Sequence, residues 1–318
     1  MFVPRDVFLI CPDHGPEPYT YITCYLDEHF HRRDHWNSRQ QQVMAPLTAS
    51  SMMLLVAILA LCLQPVLSLV VMVPLYAYPG GSGLSTWTSL MNIVKAHPDV
   101  SYLVIINPDN GPGSTPYPDN EYIDGIARLN SYDNVQLIGY VDTWFASVPL
   151  ETVYANIDKY ANWAEYEQAD IALHGIFFDA MTAKANSTAY EYMSSVSNYA
   201  YSAFADGSRK PTVVFNPGRK VATAYFKWAD YIVEFKDSLA HYKGLTSVKR
   251  KKLRMRQKQA IVAHTATVGP VKLQSMLKEM YKRRIGAVYM TKEYGYDGIS
   301  PVQLSNISGI IDRLQNGR

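Results

Sequence analysis

The chain has 318 residues, of which 48% are hydrophobic and 18% are charged, and its formal net charge at pH 7 is +2. This balance is typical of a globular protein with a sizeable core and argues against intrinsic disorder. With so little net charge, the chain as a whole has no electrostatic preference for nucleic acid or for an anionic membrane surface. The length allows one large domain or two of ordinary size.

The first part of the chain is unlike the rest. Residues 1–43 contain scattered histidine, proline and charged residues without a helical or strand period, so we interpret them as an irregular N-terminal extension. The histidines of HFHRRDH, His29, His31 and His35, are a nominal metal site, but a weakly ordered polar tail is favoured.

An apolar segment follows at residues 44–70. Its most hydrophobic part, residues 52–63, has the length of a signal-peptide core and is short for a membrane span. We therefore expect a signal peptide, or a membrane anchor through residues 52–70 if the segment stays uncleaved. A translation start at Met44 would make it an ordinary secretory signal, and the expected location is secreted or cell-surface.

From residue 69 onward, short apolar runs alternate with longer amphipathic stretches. Eight runs rich in β-branched and aromatic residues predict strands at residues 69–78, 101–107, 135–141, 171–179, 211–216, 231–235, 259–265 and 286–291. Helical patterns occupy residues 84–97, 120–130, 150–168, 189–205, 272–284 and 302–314. Strands separated by helices pair in parallel, and near-continuous apolar strands are buried on both faces.

Eight such units predict an α/β fold, a single (β/α)8 TIM barrel over residues 71–318. An open, doubly wound sheet is the alternative. That alternative would usually carry a glycine-rich phosphate loop after the first strand, but Gly80, Gly81 and Gly83 do not form GxGxxG. The closed barrel is therefore favoured.

In such a barrel the chemistry is located at the carboxyl ends of the strands. Asp179 ends the fourth strand in GIFFD, Asp142 follows the third, and Glu234, Lys236 and Asp237 stand at the end of the sixth. The expected substrate-binding side chains at the other strand ends are Tyr76, Tyr78, Asn107, Tyr140, Asn216, His264 and Tyr289. This ring is polar and aromatic, with neither clustered metal ligands nor a phosphate cradle. We expect no cofactor and no metal, and a cleft suited to a neutral or amino sugar.

Several motifs together resemble the spherulin-4-like proteins of spherulation-specific family 4, which are fungal and slime-mould cell-surface proteins. They are VPLYAYPG (73–80), INPDNGPG (106–113), GIFFD (175–179), VVFNPG (213–218) and VYMT (288–291). The family is similar to glycoside hydrolase family 135, which cleaves α-1,4-linked N-acetylgalactosamine in a secreted galactosaminogalactan. The resemblance implies a (β/α)8 barrel with catalytic acids at the ends of the fourth and sixth strands.

The chain departs from the family's acid pattern at two positions. The family ends its fourth strand with Asp-Glu, but here Asp179 is followed by Ala180, and Lys236 stands where the sixth strand should carry a Glu. Glycoside hydrolysis normally needs one carboxyl group to protonate the leaving oxygen and a second as nucleophile or base. A lysine nearby favours ionised Asp179, which is a poorer acid.

Two hypotheses follow for the function. The first is a glycoside hydrolase-like barrel that acts on an α-1,4-linked, N-acetylgalactosamine-containing polysaccharide, with Asp179 as the remaining acid. Asp237, presented by a bulge, or Asp142 would then compensate, or the substrate's N-acetyl group would assist. The alternative is a catalytically impaired protein that binds a cell-wall glycan. Asp179 could also be purely structural, paired with Lys236 or capping the next helix.

The strongest charge cluster, within Lys249–Lys258, has no assigned role. Nucleic-acid binding is a nominal interpretation, and an exposed loop before the seventh strand is favoured. Retention of an anionic wall polymer is the third possibility. The expected partner of the protein is a polysaccharide substrate or wall glycan, and no nucleic acid is expected.

Overall fold

The computed structural model describes residues 68–81, 83–244, 252–294, 296 and 298–317. All of them belong to the second of two units of the chain, Gln64–Arg318. The predicted extension over residues 1–43 and nearly all of the predicted signal or anchor segment lie outside the described residues. Within the described ranges, no helix is long and apolar enough to cross a membrane.

Eight parallel strands form a closed barrel in which each strand pairs with the next one along the chain. The strands are β1 Val70–Leu75, β2 Tyr102–Ile106, β3 Val135–Asp142, β4 Gly175–Asp179, β5 Thr212–Phe215, β6 Tyr231–Ser238, β7 Gln259–His264 and β8 Ala287–Met290. The ring closes between β8 and β1, where Val70 pairs with Ala287 and Val71 with Val288. The predicted TIM barrel is therefore confirmed.

The strands are buried on both faces because one face fills the barrel and the other supports the helices. Every residue of β2 and of β5 is buried. This explains why the strands read as apolar runs and not as alternating patterns. The outer layer adds large side chains, with Trp87, Tyr160 and Trp163 fully buried.

The described helices are α1 Thr88–Ala96, α2 Asn120–Asn130, α3 Leu150–Ala161, α4 Ser187–Ala203, α5 Leu253–Arg256, α6 Pro270–Lys282 and α7 Pro301–Gln315. Each of the six predicted helical patterns overlaps one of them. The seventh helix, α5, is a single turn and lies outside the predicted patterns. Between β5 and β6 the crossover is only a 3-10 segment, Thr223–Lys227.

Local sequence explains where several helices begin. The carboxylate of Asp119 accepts the backbone N–H of Tyr122 at 3.0 Å, and the amide oxygen of Asn186 accepts that of Ala189 at 2.9 Å. Both are N-cap contacts, which satisfy otherwise unpaired donors of the first turn. Proline occupies the first position of α6 and of α7, where its missing N–H costs nothing.

Of the strand boundaries that differ from the prediction, those of β4 and β6 bear on the site. β4 begins at Gly175 and not at residue 171, because the chain enters the sheet with a φ of 140° at this glycine. A β-carbon at Gly175 would lie 1.9 Å from the carbonyl oxygen of Thr212. β6 extends to Ser238 and changes register between Val233 and Phe235, so Lys236 and Asp237 lie inside the strand.

Part of the predicted basic cluster is described, whereas residues 245–251 lie outside the described ranges. Lys258, its last member, has a structural role. Its ammonium donates to the carbonyl oxygens of Phe226 at 3.1 Å and Ala229 at 2.6 Å. These contacts tie the start of β7 to the end of the β5–β6 crossover.

Candidate functional site

Asp179 occupies the centre of the site, at the carboxyl end of β4. The tyrosine hydroxyl of Tyr140 donates to its Oδ2 at 2.8 Å, and the side-chain amide of Asn216 donates to its Oδ1. The ammonium of Lys236 lies 3.6 Å from Oδ1. We call these four residues the Asp179 cluster. Since its members come from β3, β4, β6 and the end of β5, only closure of the barrel brings them together.

The cluster is largely shielded from solvent. The side chains of Asp179 and Lys236 are 18% and 21% exposed, and Tyr140 and Asn216 are buried. Burial, followed by the negative charge of Asp179, raises the pKa of the Tyr140 hydroxyl far above its usual value. Tyr140 therefore stays protonated and donates to the carboxylate.

Lys236 is held in place from several sides. Its ammonium lies 5.0 Å from the centre of the Tyr296 ring, which is a cation–π contact. Its backbone N–H donates to the carbonyl oxygen of Gly218 at 3.2 Å, so the Asn-Pro-Gly loop after β5 packs over it. At the position where the resemblance predicts a glutamate, the structure therefore has a cation paired with Asp179.

Ala180, at the position of the other expected glutamate, is bound through its backbone. Its φ is 45°, a left-handed conformation that is unusual for alanine. Its carbonyl oxygen accepts the N–H of Phe145 at 2.6 Å and the hydroxyl of Thr143 at 3.2 Å. The loop after β3 is thereby fastened to the loop after β4.

Asp142 is the carboxylate next to Asp179 in the sheet. The two residues are register partners at the ends of β3 and β4, and neighbouring strands lie about 4.8 Å apart. The Oδ1 of Asp142 accepts the backbone N–H of Trp144 at 2.8 Å. A second acid is thus present beside Asp179, partly used to hold the loop that follows it.

Asp237 lies at the rim, beyond the bulge in β6. Its carboxylate is 2.9 Å from Nδ1 of His241 and 4.0 Å from Nε2 of His264, and its side chain is about half exposed. The backbone N–H of Ser238 and then the contact with His241 lower its pKa. Asp237 is thus suited to act as a base or ligand contact and less suited to act as an acid.

Glu234, by contrast, is buried beneath the rim. Its Oε1 accepts the backbone N–H of Val221 at 3.3 Å, and its Oε2 accepts the side-chain amide of Gln259. These contacts give it a structural role between β6 and β7.

The predicted sugar-binding side chains do not all lie in one place. Tyr76 belongs with the Asp179 cluster, since its ring packs edge-on against Tyr140 at 5.7 Å. Tyr78 packs against Tyr122 at 5.6 Å, and the Tyr122 hydroxyl donates to the Asn107 carbonyl at 3.3 Å. The side-chain oxygen of Asn107 accepts the N–H of Gly111 at 2.9 Å. Asn107 thus shapes its own loop on the β1–β2 side.

His264 and Tyr289 complete the predicted set. His264 contacts the hydroxyl of Thr265 at 2.8 Å through Nδ1, and its ring lies 5.5 Å from that of Tyr296. It therefore borders the site through Tyr296 and Asp237. Tyr289 is only 1% exposed, and burial raises its pKa to about 12, so its ring is packed within the barrel wall.

Strand-end reasoning missed the aromatic residues in the loops just beyond the strands. Tyr296 contacts both Lys236 and His264, and Trp144 and Phe145 are exposed after β3. The signal was present in DTWF and EYGY, which place aromatic rings in polar loops beyond the carboxyl ends of the strands. Among the described residues, no group of three or more His, Cys, Asp or Glu side chains could hold a metal ion.

Comparisons with known proteins agree with the barrel fold. The model of the spherulation-specific family 4 matches residues 70–310. Spherulin-4 of Physarum polycephalum is 32% identical over 178 residues, which are 54% of this chain and 46% of that protein, so the chain spans less than half the length of this relative. The crystal structure of Aspergillus clavatus Sph3 in complex with GalNAc superposes with a TM-score of 0.68 and 28% identity, covering 77% of this chain and 98% of that chain.

Proposed function

Because the chain belongs to spherulation-specific family 4, we propose that its barrel binds an α-1,4-linked, N-acetylgalactosamine-containing polysaccharide at the carboxyl ends of its strands. The barrel is structurally related to the glycoside hydrolases of family 135 through Sph3. The Sph3 structure contains GalNAc, which supports the same sugar for this chain. We further propose that the protein is secreted or held at the cell surface, where such polymers occur.

The Asp179 cluster is the observation that carries this proposal. Its carboxylate interacts with one cation and two hydrogen-bond donors. All three can bind the acceptor oxygens of Asp179 strongly. Glycoside hydrolysis normally needs two carboxyl groups, but Ala180 and Lys236 stand where the resemblance places the others, and the cluster presents fixed charges and dipoles. It is suited to binding sugar hydroxyls.

Asn216 offers a further contact for an amino sugar. Its amide group donates to Asp179, while its side-chain oxygen is buried and has no hydrogen-bond partner within the described part of the chain. A buried acceptor without a donor is unfavourable. An acetamido N–H entering the site supplies that donor.

Hydrolysis of the same polymer is the second candidate, favoured by the position of Asp142. It is the register partner of Asp179, so two carboxylates stand side by side at the mouth of the barrel, the end at which the carboxyl ends of the eight strands lie. Asp237, with its lowered pKa, is a candidate base across the site. In this second candidate function, Asp142 or Asp237 takes the role of the glutamates that the resemblance places at positions 180 and 236.

One experiment separates the two candidates. The purified full chain is incubated with α-1,4-linked galactosaminogalactan, and bound polymer and released oligosaccharides are measured in parallel. Retention of polymer without product is the expected result. Product that disappears in Asp179→Asn would establish hydrolysis instead, and neither binding nor product would refute the carbohydrate function.

Asp158→Asn is the matched control for Asp179→Asn. Asp158 also accepts a tyrosine hydroxyl, that of Tyr199 at 2.9 Å, but it lies on α3 outside the mouth. We expect polymer binding to fall in Asp179→Asn and to be unchanged in Asp158→Asn. The double variant Ala180→Glu, Lys236→Glu restores both expected acids, and we expect it to gain hydrolysis.

A further inference from the structure

Exposed aromatic side chains are concentrated at one end of the barrel. Among the described residues, the large exposed hydrophobic side chains are Tyr78, Trp144, Phe145, Leu253, Val271, Tyr294 and Val302. The four aromatic ones follow the carboxyl ends of β1, β3 and β8; of the three aliphatic ones, Val271 and Val302 lie in the first turns of α6 and α7, and Leu253 lies on α5, before β7. Exposed apolar groups that cluster beside a cleft mark a ligand-binding surface more often than scattered ones do.

Trp144 and Phe145 are the most prominent pair. They are 64% and 61% exposed, although adjacent large aromatic side chains are costly to leave in water. With Ala146 they form three consecutive residues in left-handed backbone, with φ of 40°, 57° and 68°. Non-glycine residues adopt this conformation at an energetic cost and keep it only when their surroundings fix it.

The surroundings that fix this turn belong to the Asp179 segment. The Trp144 N–H donates to Asp142, and the Phe145 N–H donates to the carbonyl of Ala180 at 2.6 Å. Thr143, which is fully buried, donates its hydroxyl to the carbonyl of Asp179 at 2.9 Å. The backbone that carries the two exposed rings is therefore fastened to the segment that contains Asp179.

A third exposed ring stands on the far side of the mouth. Tyr294 follows β8, is 89% exposed, and lies 5.4 Å from His264. His264 ends β7, and in a closed ring of eight strands β7 is opposite β3, the strand that precedes Trp144 and Phe145. The exposed aromatic side chains thus stand on opposite sides of the mouth.

We propose that Trp144 and Phe145 form an outer sugar-binding platform, on which a ring of the glycan stacks next to the sugar bound at Asp179. The inference rests on the proposed function and adds to it a second sugar-binding position, outside the one at Asp179. Aromatic faces suit the apolar faces of pyranose rings. Two side chains are far smaller than the roughly 800 Å² per partner of a stable protein–protein interface, which argues against a second protein chain as the occupant.

The test compares ligand length. Binding of N-acetylgalactosamine and of a long α-1,4-linked oligosaccharide of the same sugar is measured by calorimetry for the wild-type full chain, Trp144→Ala and Phe145→Ala. Leu253→Ala, which removes an exposed hydrophobic side chain on α5 just before the start of β7, is the control. We expect each aromatic variant to weaken binding of the long oligosaccharide by between about twofold and tenfold, with the monosaccharide affinity and the Leu253→Ala variant unchanged.

The outcomes distinguish the two proposals. If the wild type binds the oligosaccharide and both aromatic variants bind it equally well, the platform is refuted while the proposed function stands. If the wild type binds neither ligand, both are refuted. A wild-type dimer in sedimentation that Trp144→Ala dissociates would assign the pair to a contact between copies, and would overturn the platform as well.

Discussion

Replacing Asp179 by alanine tests whether the cluster around it is as tightly built as the geometry indicates. The substitution removes the acceptor of the Tyr140 hydroxyl and of the Asn216 amide, and it leaves the Lys236 ammonium without its counter-ion. Tyr140 and Asn216 are 6% and 3% exposed, so neither donor can easily turn to solvent.

The expected loss of stability follows from counting those groups. Each buried donor left without a partner costs about 1–3 kcal/mol, so two cost about 2–6 kcal/mol. The side chain of Asp179 is 18% exposed, so water can enter the space beside the mouth, and removing a carboxylate also removes its own desolvation cost. Both effects favour the lower half of the range, about 2–4 kcal/mol.

Urea unfolding of the full chain measures this value, from the change in midpoint at a common slope. Asp158→Ala is the control, because it also removes a carboxylate that accepts a tyrosine hydroxyl, that of Tyr199. Both of these residues are only half-buried and lie on outer helices. We therefore expect this variant to cost about 1 kcal/mol or less. A loss below about 0.5 kcal/mol for Asp179→Ala, or an equal loss for both variants, would refute the reasoning.

Two further predictions concern stability. Burial, and then the charge of Arg209, lower the pKa of His174 below 6.5, although Asp170 acts in the opposite direction. The unfolded state therefore binds the proton more readily, and the stability of the folded chain falls as the pH drops below about 6.5. His174→Gln should flatten the dependence of Tm on pH between about 7.5 and 5.5, and an unchanged slope would contradict this. Gly175→Ala should lower the free energy of unfolding by at least about 3 kcal/mol, because the new β-carbon would meet the Thr212 backbone. Gly81→Ala is the control: its φ is 73° but no atom lies within 4 Å of the added β-carbon, so it should cost about 1–2 kcal/mol. Equal losses in urea unfolding would show that φ alone matters.

The local sequence determined the architecture of the barrel. Apolar runs such as YLVII and amphipathic stretches such as NEYIDGIARLN carry their own periodicity, so β2 and α2 were readable without any long-range contact. The chain also determined that Asp179 ends a buried strand and is followed by Ala180, and that Lys236 stands at the end of the sixth strand. These are properties of neighbouring residues along the chain.

Tertiary structure decided which strand-end residues share one site. Tyr140 and Asn216 meet Asp179 because β3, β4 and β5 are neighbours in the closed ring, whereas Asn107 bonds to its own loop and Tyr289 is packed within the wall. The bulge in β6 sets where Lys236 points, and the left-handed turn after β3 exposes two aromatic rings. Such features depend on contacts between segments far apart in sequence, so hydrophobic periodicity carries no information about them.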